Sequence, residues 1–319
     1  MSALLEVHDL SVTFETEAGR VHAIHHVDLE LPRGTTLGLV GESGCGKSTL
    51  GRAILRILAE NGAMTGRVVF DGRDLSEMKE KELRTIRGRN MAMIFQDPAT
   101  RLNPLMRIRD HFFDTLRSHE PNIETEQVLQ RSRRVLADVR VPPDRLGMYP
   151  HELSGGMRQR IMIALSLLFH PTLLIADEPT TSLDVIIEAQ ILDLLRDLMS
   201  RYDMAVLLIT HNLGLVAQFA DRVAVMYAGE IIEEADTVPL FQVPKHPYTQ
   251  GLLRSVIDLE TNHLYSVPGS PPDLLGEPKG CPFLPRCGFA MEICKTVDPT
   301  PRSVGAEGRR VACHLLQEA

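Results

Sequence analysis

A chain of 319 residues, 44% hydrophobic and 24% charged, has an ordinary globular composition and exceeds the size at which one core usually stops growing. Two or three packed subregions are expected. The net charge of -8 argues against a dedicated nucleic-acid binder, and the longest uncharged run, Ile161 to Ala176, falls short of the ~20 residues of a membrane span.

Acidic Glu6 and Asp9 interrupt the N-terminus before any apolar leader can form, so the reading is a cytosolic chain that serves a membrane only as a bound partner. Alternating Leu10, Val12 and Phe14 predict a half-buried strand, with Val27 to Leu31 as its neighbour. Leu37-Gly38-Leu39-Val40 runs into Gly41-Glu42-Ser43-Gly44-Cys45-Gly46-Lys47-Ser48-Thr49, and a helical pattern follows from Ser48 to Leu58. Val68 to Phe70 ends in the turn Asp71-Gly72. Met91 to Phe95, Leu173 to Ala176, Val206 to Thr210 and Val223 to Met226 are short apolar runs suited to buried parallel strands. Helical patterns at Glu124 to Val139, Met157 to Phe169 and Ile187 to Met199 alternate with them, which predicts an α/β core. After about Val238 prolines recur and periodicity fades, as in an irregular appended domain.

Gly41, Gly44, Gly46, Lys47 and Ser48 fit the spacing G-x-x-x-x-G-K-[ST]. Glycines let backbone N–H groups turn inward around anionic oxygens, and a helix opening at Lys47-Ser48 adds its positive end. Lys47 can reach the β- and γ-phosphates of a nucleotide and the Ser48 hydroxyl can ligate Mg2+, with Ser43, Cys45 and Thr49 in the same cradle. Cys45 reads as a small residue tolerated beside the phosphates rather than a redox switch.

The strand-like Leu173 to Ala176 ends in Asp177-Glu178. There Asp177 can hold Mg2+ and Glu178 can orient or deprotonate an attacking water. Ser154 is a good N-cap ahead of Gly155-Gly156-Met157, and the exposed amides of that helix start form a second anion site. Two phosphate receptors in one chain make sense when the second serves another chain's nucleotide. His211 follows the apolar Leu207 to Ile209, where an imidazole could bond phosphate; alone it reads as a solvated loop histidine.

In order and spacing, Gly41 to Thr49, Gln96, Leu153 to Met157, Asp177-Glu178, Ser182-Leu183-Asp184 and His211 resemble the ATPase of an ABC transporter over residues 1 to about 235. The resemblance implies the α/β fold of a P-loop NTPase. Its parts would be a RecA-like core at about 1–97 and 171–237, an antiparallel β subdomain, an inserted helical subdomain at about 98–170, and a small irregular C-terminal domain at 238–319. It also implies that Gln96 opens a loop sensing Mg2+ and the membrane partner. Ser154, Gly155 and Gly156 would close on the opposite subunit's ATP, Asp184 would lie across the dimer interface, and His211 would contact the γ-phosphate. Glu178, His211 and Gln96 are then the catalytic candidates. The family's adenine-stacking aromatic has no counterpart at Thr16-Glu17-Ala18; Phe14 is the nearest candidate, with a core strand residue as the equal alternative.

Gln96 to Pro104, Lys245 to Leu253, Cys281 to Cys287 and Val311 to Leu315 resemble the dipeptide/oligopeptide importer branch, which also includes nickel and sugar-oligomer importers. That resemblance implies ATP-driven peptide uptake at the cytoplasmic face of the inner membrane. It implies two integral membrane permeases, an extracytoplasmic solute-binding protein and a second, different ATPase subunit, with Pro98 to Met106 meeting the permease. A soluble ABC-type ATPase acting on nucleic acid or ribosomes is the rival class, but no tandem module, long coiled-coil insertion or basic arm accompanies the motifs.

Cys281, Cys287, Cys294 and Cys313 give C-x5-C-x6-C-x18-C rather than the close C-x2-C pairs of common zinc sites. Four thiolates can hold Zn2+ or [4Fe–4S]. Members of the branch with a similar tail carry [4Fe–4S], so the resemblance favours the cluster, with zinc as the alternative. Lying outside the ATPase motifs, it would have a structural role.

Overall fold

The computed structural model describes residues 3–97, 101–181, 183–255, 266–277, 279–305 and 308–316. The chain divides into two compact units, Met1–Glu77 with Leu207–Ala319, and Met78–Val206.

In the first unit, β1 (Ala3–Thr16) and β2 (Gly19–Pro32) form a long antiparallel hairpin. With β4 (Gly62–Phe70) and β5 (Arg73–Asp74) they make a sheet in the order β2-β1-β4-β5. Both hairpin strands are longer than the sequence suggests. The register shifts between Val7 and Leu10 and again between Leu10 and Val12, so the period-two alternation breaks where the strand continues.

β3 (Thr36–Val40) is buried along its whole length, as a central parallel strand should be. It runs parallel to β9 (Arg222–Tyr227), with Leu37 opposite Arg222 and Val40 opposite Val225. β9 turns back into β10 (Glu230–Asp236), which pairs antiparallel with β12 (Arg310–Val311) and so carries β11 (Arg302–Ser303). A Cβ on Gly38 would lie 2.5 Å from Val216 Cγ1, so α7 (Leu213–Phe219) packs directly on β3. α1 (Lys47–Ile54) stops short of the expected Leu58, where Arg56 takes a left-handed φ of +53°.

β10 is not legible in the sequence, because Glu-Ile-Ile-Glu-Glu-Ala-Asp looks like a solvated acidic run. Glu233 and Glu234 are nevertheless 0% and 1% exposed. Glu233 accepts from the backbone N–H groups of Lys245 and His246 at 2.8 and 2.9 Å. Glu234 pairs with Arg310 at 2.6 Å and Arg222 at 3.1 Å. The proline-rich tail holds more regular structure than its composition suggests: α8 (Thr237–Gln242), α9 (Pro247–Arg254), and 3-10 turns at Leu284–Arg286, Glu292–Lys295 and His314–Leu316.

In the second unit, β6 (Met91–Ile94) lies parallel to β7 (Leu173–Asp177), Met91 opposite Leu173 and Ile94 opposite Ala176. α2 (Glu80–Ile86) precedes them, and α3 (Ile108–His119), α4 (Thr125–Asp138) and α5 (Gly155–Leu167) fill the stretch between. Ile108, Phe112 and Leu116 recur every four residues and form the buried stripe of α3. α5 is apolar nearly all round from Ile161 to Ala164, as befits a central helix. α6 (Val185–Tyr202) follows β7, and β8 (Ala205–Ile209) crosses the division between the units.

Candidate functional site

Residues 41–46 form a tight loop from the end of β3 to the start of α1. A Cβ at Gly41 would sit 2.2 Å from the carbonyl oxygen of Met226, and one at Gly46, whose φ is +106°, would sit 2.5 Å from that of Ala23. Only glycine fits either place. Gly46 offers α1 no side-chain cap and the first turn holds no acidic residue, so the helix start presents N–H groups with a positive end and no side-chain acceptor. Lys47 is 5% exposed, and its Nζ donates to the carbonyl oxygens of Gly41 and Glu42 at 2.8 Å each. The lysine is thus held against the loop it would serve. Ser43 and Gly44 are exposed, and Ser48 and Thr49 half-buried.

Cys45 turns inward. It is 6% exposed, and burial raises its pKa although Lys47 is close, which keeps the thiol protonated and accords with a packing role. Phe14 is half-buried in β1, opposite Val21 and Gly62, and a Cβ on Gly62 would meet its ring edge at 2.8 Å. Its ring therefore lies over the backbone of β4. His211, also of the first unit, is exposed beyond β8; Thr210 N–H donates to Leu39 O at 3.2 Å, which places that strand end beside the end of β3.

The second unit carries the acidic pair. Asp177, the last residue of β7, is 0% exposed, and a buried carboxylate at a strand end suits a hard divalent cation. Glu178 has a left-handed φ of +47°, a strained value for a non-glycine residue and one that clusters at functional sites. Gln96 Nε2 donates to Glu178 Oε2 at 3.1 Å, and Thr181 Oγ1 donates to the same oxygen at 2.6 Å. Two of the catalytic candidates are thereby in direct contact. Gln159 of α5, 2% exposed, donates to Pro179 O at 2.5 Å and braces the turn after the acids. Neither Thr181 nor Gln159 stands out in the sequence, since each looks like a polar surface residue.

Ser154 caps α5 as expected, its Oγ accepting from Met157 N–H at 3.3 Å. Gly156 has a packing reason within its own chain, because a Cβ there would meet Ile187 Cγ2 at 2.7 Å. Gly155 has more room, its nearest neighbour being Leu183 at 3.6 Å. Asp184 caps α6, its Oδ1 accepting from Ile187 N–H at 2.9 Å. The next two residues, Val185 and Ile186, are 80% and 71% exposed. Ser182 and residues 98–100 lie outside the described residues.

In the tail, Cys281, Cys287, Cys294 and Cys313 line one small cavity together with Phe283, His246 and His314. Among the described residues, no three of these thiols bring their sulfurs within 4.8 Å of one another. A tetrahedral zinc with 2.3 Å bonds needs sulfurs ~3.8 Å apart, so the thiols would have to draw together to hold a single ion. Burial pushes the Cys281 thiol up to about 12 and raises Cys313 as well, so metal binding here must displace protons. The described group of ligand-type atoms that does close within 4.8 Å is His25, Glu230 and Asp298. His25 Nδ1 lies 3.1 Å from Glu230 and 3.9 Å from Asp298, and its pKa is raised chiefly by the hydrogen bond to Glu230. The hydrogen bond from the imidazole to Glu230, with Asp298 close by, accounts for that trio without an ion.

Residues 24–181 match the family model for ABC transporters, and residues 232–294 match that for the oligopeptide/dipeptide transporter C-terminal region. The chain is 47% identical over 316 residues to the oligopeptide transport ATP-binding protein OppD of Salmonella typhimurium, covering 98% of this chain and 93% of that one. It is 45% identical to the dipeptide transport ATP-binding protein DppD of Bacillus subtilis, covering 100% and 96%. The chain belongs to this family of ABC transporter ATP-binding proteins. It is therefore the ATP-hydrolysing subunit of an ABC importer of the oligopeptide/dipeptide family, and no helix among its described residues is long and apolar enough to cross a membrane. The fold agrees: a dimeric bacterial ABC transporter cassette superposes with a TM-score of 0.65 at 25% identity, covering 73% of this chain and 98% of that one.

Proposed function

We propose that this subunit drives uptake of di- or oligopeptides, and that the reading is carried by the tail. The likeness runs through residues 232–294, a region named for oligopeptide/dipeptide transport, and does not stop at the ATPase motifs common to all ABC proteins. Relatives named for both oligopeptide and dipeptide transport match at nearly full length, which favours peptide over nickel or oligosaccharide as cargo.

Backbone amides of the 41–46 loop and the Lys47 ammonium would take up the β- and γ-phosphates, with Phe14 nearest the base. Mg2+ would be held by Ser48, Asp177 and Gln96 and would neutralise the phosphate oxygens. Glu178, steadied by Gln96 and Thr181, would accept the proton of the attacking water, and His211 would donate to the γ-phosphate. Ser154, Gly155, Gly156 and Asp184 would act on the nucleotide of a second ATPase subunit. The exposed Val185 and Ile186 beside Asp184 supply an apolar rim for such a dimer.

The assembly would comprise two permeases, a second and different ATPase, and an extracytoplasmic solute-binding protein, with this chain peripheral on the cytoplasmic face of the inner membrane. Leu105, 86% exposed within the 98–106 segment read as the permease contact, supports that docking site. Cys281, Cys287, Cys294 and Cys313 would ligate [4Fe–4S]. The support is four thiols lining one cavity; zinc is the alternative. Affinity purification from solubilised membranes, followed by mass spectrometry and a peptide-stimulated ATPase assay, tests the whole. Permeases in the eluate and stimulation by peptides are expected. Recovery with ribosomes or nucleic acid and no membrane subunit would refute it.

A further inference from the structure

Arg286 lies in the 3-10 turn Leu284–Arg286, between Cys281 and Cys287, yet its guanidinium reaches the phosphate loop. Nη1 and Nη2 donate to the two carboxylate oxygens of Glu42 at 2.8 and 2.9 Å, a bidentate fork with the arginine side chain only 3% exposed. Its other bonds go to Pro268 O at 2.7 Å, Val267 O at 3.0 Å and the Tyr227 hydroxyl at 3.3 Å, so all five N–H groups are placed. Such a fork specifies geometry as well as charge, which a lysine cannot reproduce.

Glu42 is held at two further points. Its N–H donates to the Tyr248 hydroxyl at 3.0 Å, and its carbonyl oxygen receives Lys47 Nζ at 2.8 Å. Tyr227 and Tyr248 are 1% and 0% exposed, and Phe283 packs against their rings with centroids 5.3 and 5.5 Å away. Phe283 and Arg286 belong to the cysteine-bearing turn: Arg286 N–H donates to Phe283 O at 3.0 Å, and Cys281 N–H donates to Cys294 O at 2.8 Å. The tail thus fixes both the side chain and the amide of Glu42, and the same residue's carbonyl seats Lys47.

We propose that Arg286 is a positioning residue of the nucleotide site, tying the cysteine-bearing turn to the phosphate loop through Glu42, so that the shape of the turn sets nucleotide affinity. The proposal rests on reading residues 41–49 as a phosphate loop. It revises the purely structural role that the sequence suggests for the tail, since the turn is hydrogen-bonded to the loop itself.

The test is a titration of full-length protein with a fluorescent ATP analogue, for wild type, Arg286→Lys, Glu42→Gln, the double variant, and Lys47→Ala as a control on the loop. Arg286→Lys keeps the charge but loses the fork and should weaken affinity about tenfold. Glu42→Gln should do the same, and the double variant should be no more than about twofold worse than either single one, since both remove one link. Additive losses, or affinities for Arg286→Lys and Glu42→Gln within twofold of wild type while Lys47→Ala binds poorly, would overturn the proposal and leave the loop standing. Unchanged affinity in Lys47→Ala would overturn the phosphate-loop reading, and this proposal with it. Should Arg286→Lys not fold, Glu42→Gln carries the test on the same criteria, because Arg286 keeps its carbonyl and tyrosine partners.

Discussion

Acidification should destabilise this protein through His246. The residue is 2% exposed, and its Nδ1 accepts the N–H of Tyr248 at 3.0 Å, capping α9. An accepting Nδ1 requires the neutral ring, and burial depresses the folded pKa to about 3. The unfolded imidazole, near 6.5, takes up a proton that the folded one refuses, so stability present above pH 6.5 is lost as pH falls toward the folded value. At ~1.36 kcal/mol per unit, the loss from this residue between pH 7.5 and 5.0 is about 2 kcal/mol. His246→Asn keeps a capping acceptor and cannot titrate, so comparing the two proteins isolates this residue from every other ionising group. The chain has no tryptophan and five tyrosines, and Tyr248 packs on Tyr227 with ring centroids 4.6 Å apart, so tyrosine fluorescence in urea reports on this region. Wild type should lose about 2 kcal/mol more than His246→Asn over that range. Equal pH dependence in the two would refute the argument.

Glu178→Gln should bind ATP normally and lose ~10²–10⁴-fold in steady-state turnover of the assembled complex, because the proton acceptor is gone while the shape remains; near-wild-type turnover would remove Glu178 from that role. Ser154→Arg should bind nucleotide at its own loop but fail to form the ATP-dependent dimer, assayed by gel filtration in the Glu178→Gln background. A dimer there would reduce residues 153–157 to a helix cap. Protein purified without oxygen should be brown with about four irons per chain, and Cys287→Ser should lose them. Zinc, or no metal, in the wild type would rule out the cluster.

Wherever chemistry dictates residue type and spacing, the sequence announces the site. The Gly41–Ser48 loop, the acids after Ala176 and the Ser154 cap stand where their patterns place them, because phosphate cradles and helix caps constrain a few adjacent residues. What stays hidden depends on partners far along the chain. β10 looks solvated until Arg222 and Arg310 are seen beside Glu234. Arg286 looks like any charged turn residue, since its partner Glu42 is 244 positions away. The ends of α1 and β1 are misjudged for a local reason, a left-handed Arg56 and slipped strand registers that no periodicity reveals.

The two glutamates of β10 also bear on how the molecule is made. Arg310, which neutralises Glu234, follows it by 76 positions, and Arg309 lies 3.7 Å from Glu233. A nascent chain that has released β10 but not residues 309–310 therefore has only part of the compensation its carboxylates need on burial, from Arg222 and the amides of Lys245 and His246. The sheet edge beyond β10 is completed only by residues 310–311, which follow the phosphate loop and every ATPase motif along the chain. A chain cut short before residue 310 would leave the β10 edge without its β12 partner and Glu234 without Arg310, an acidic, unpaired strand edge of the kind that invites association.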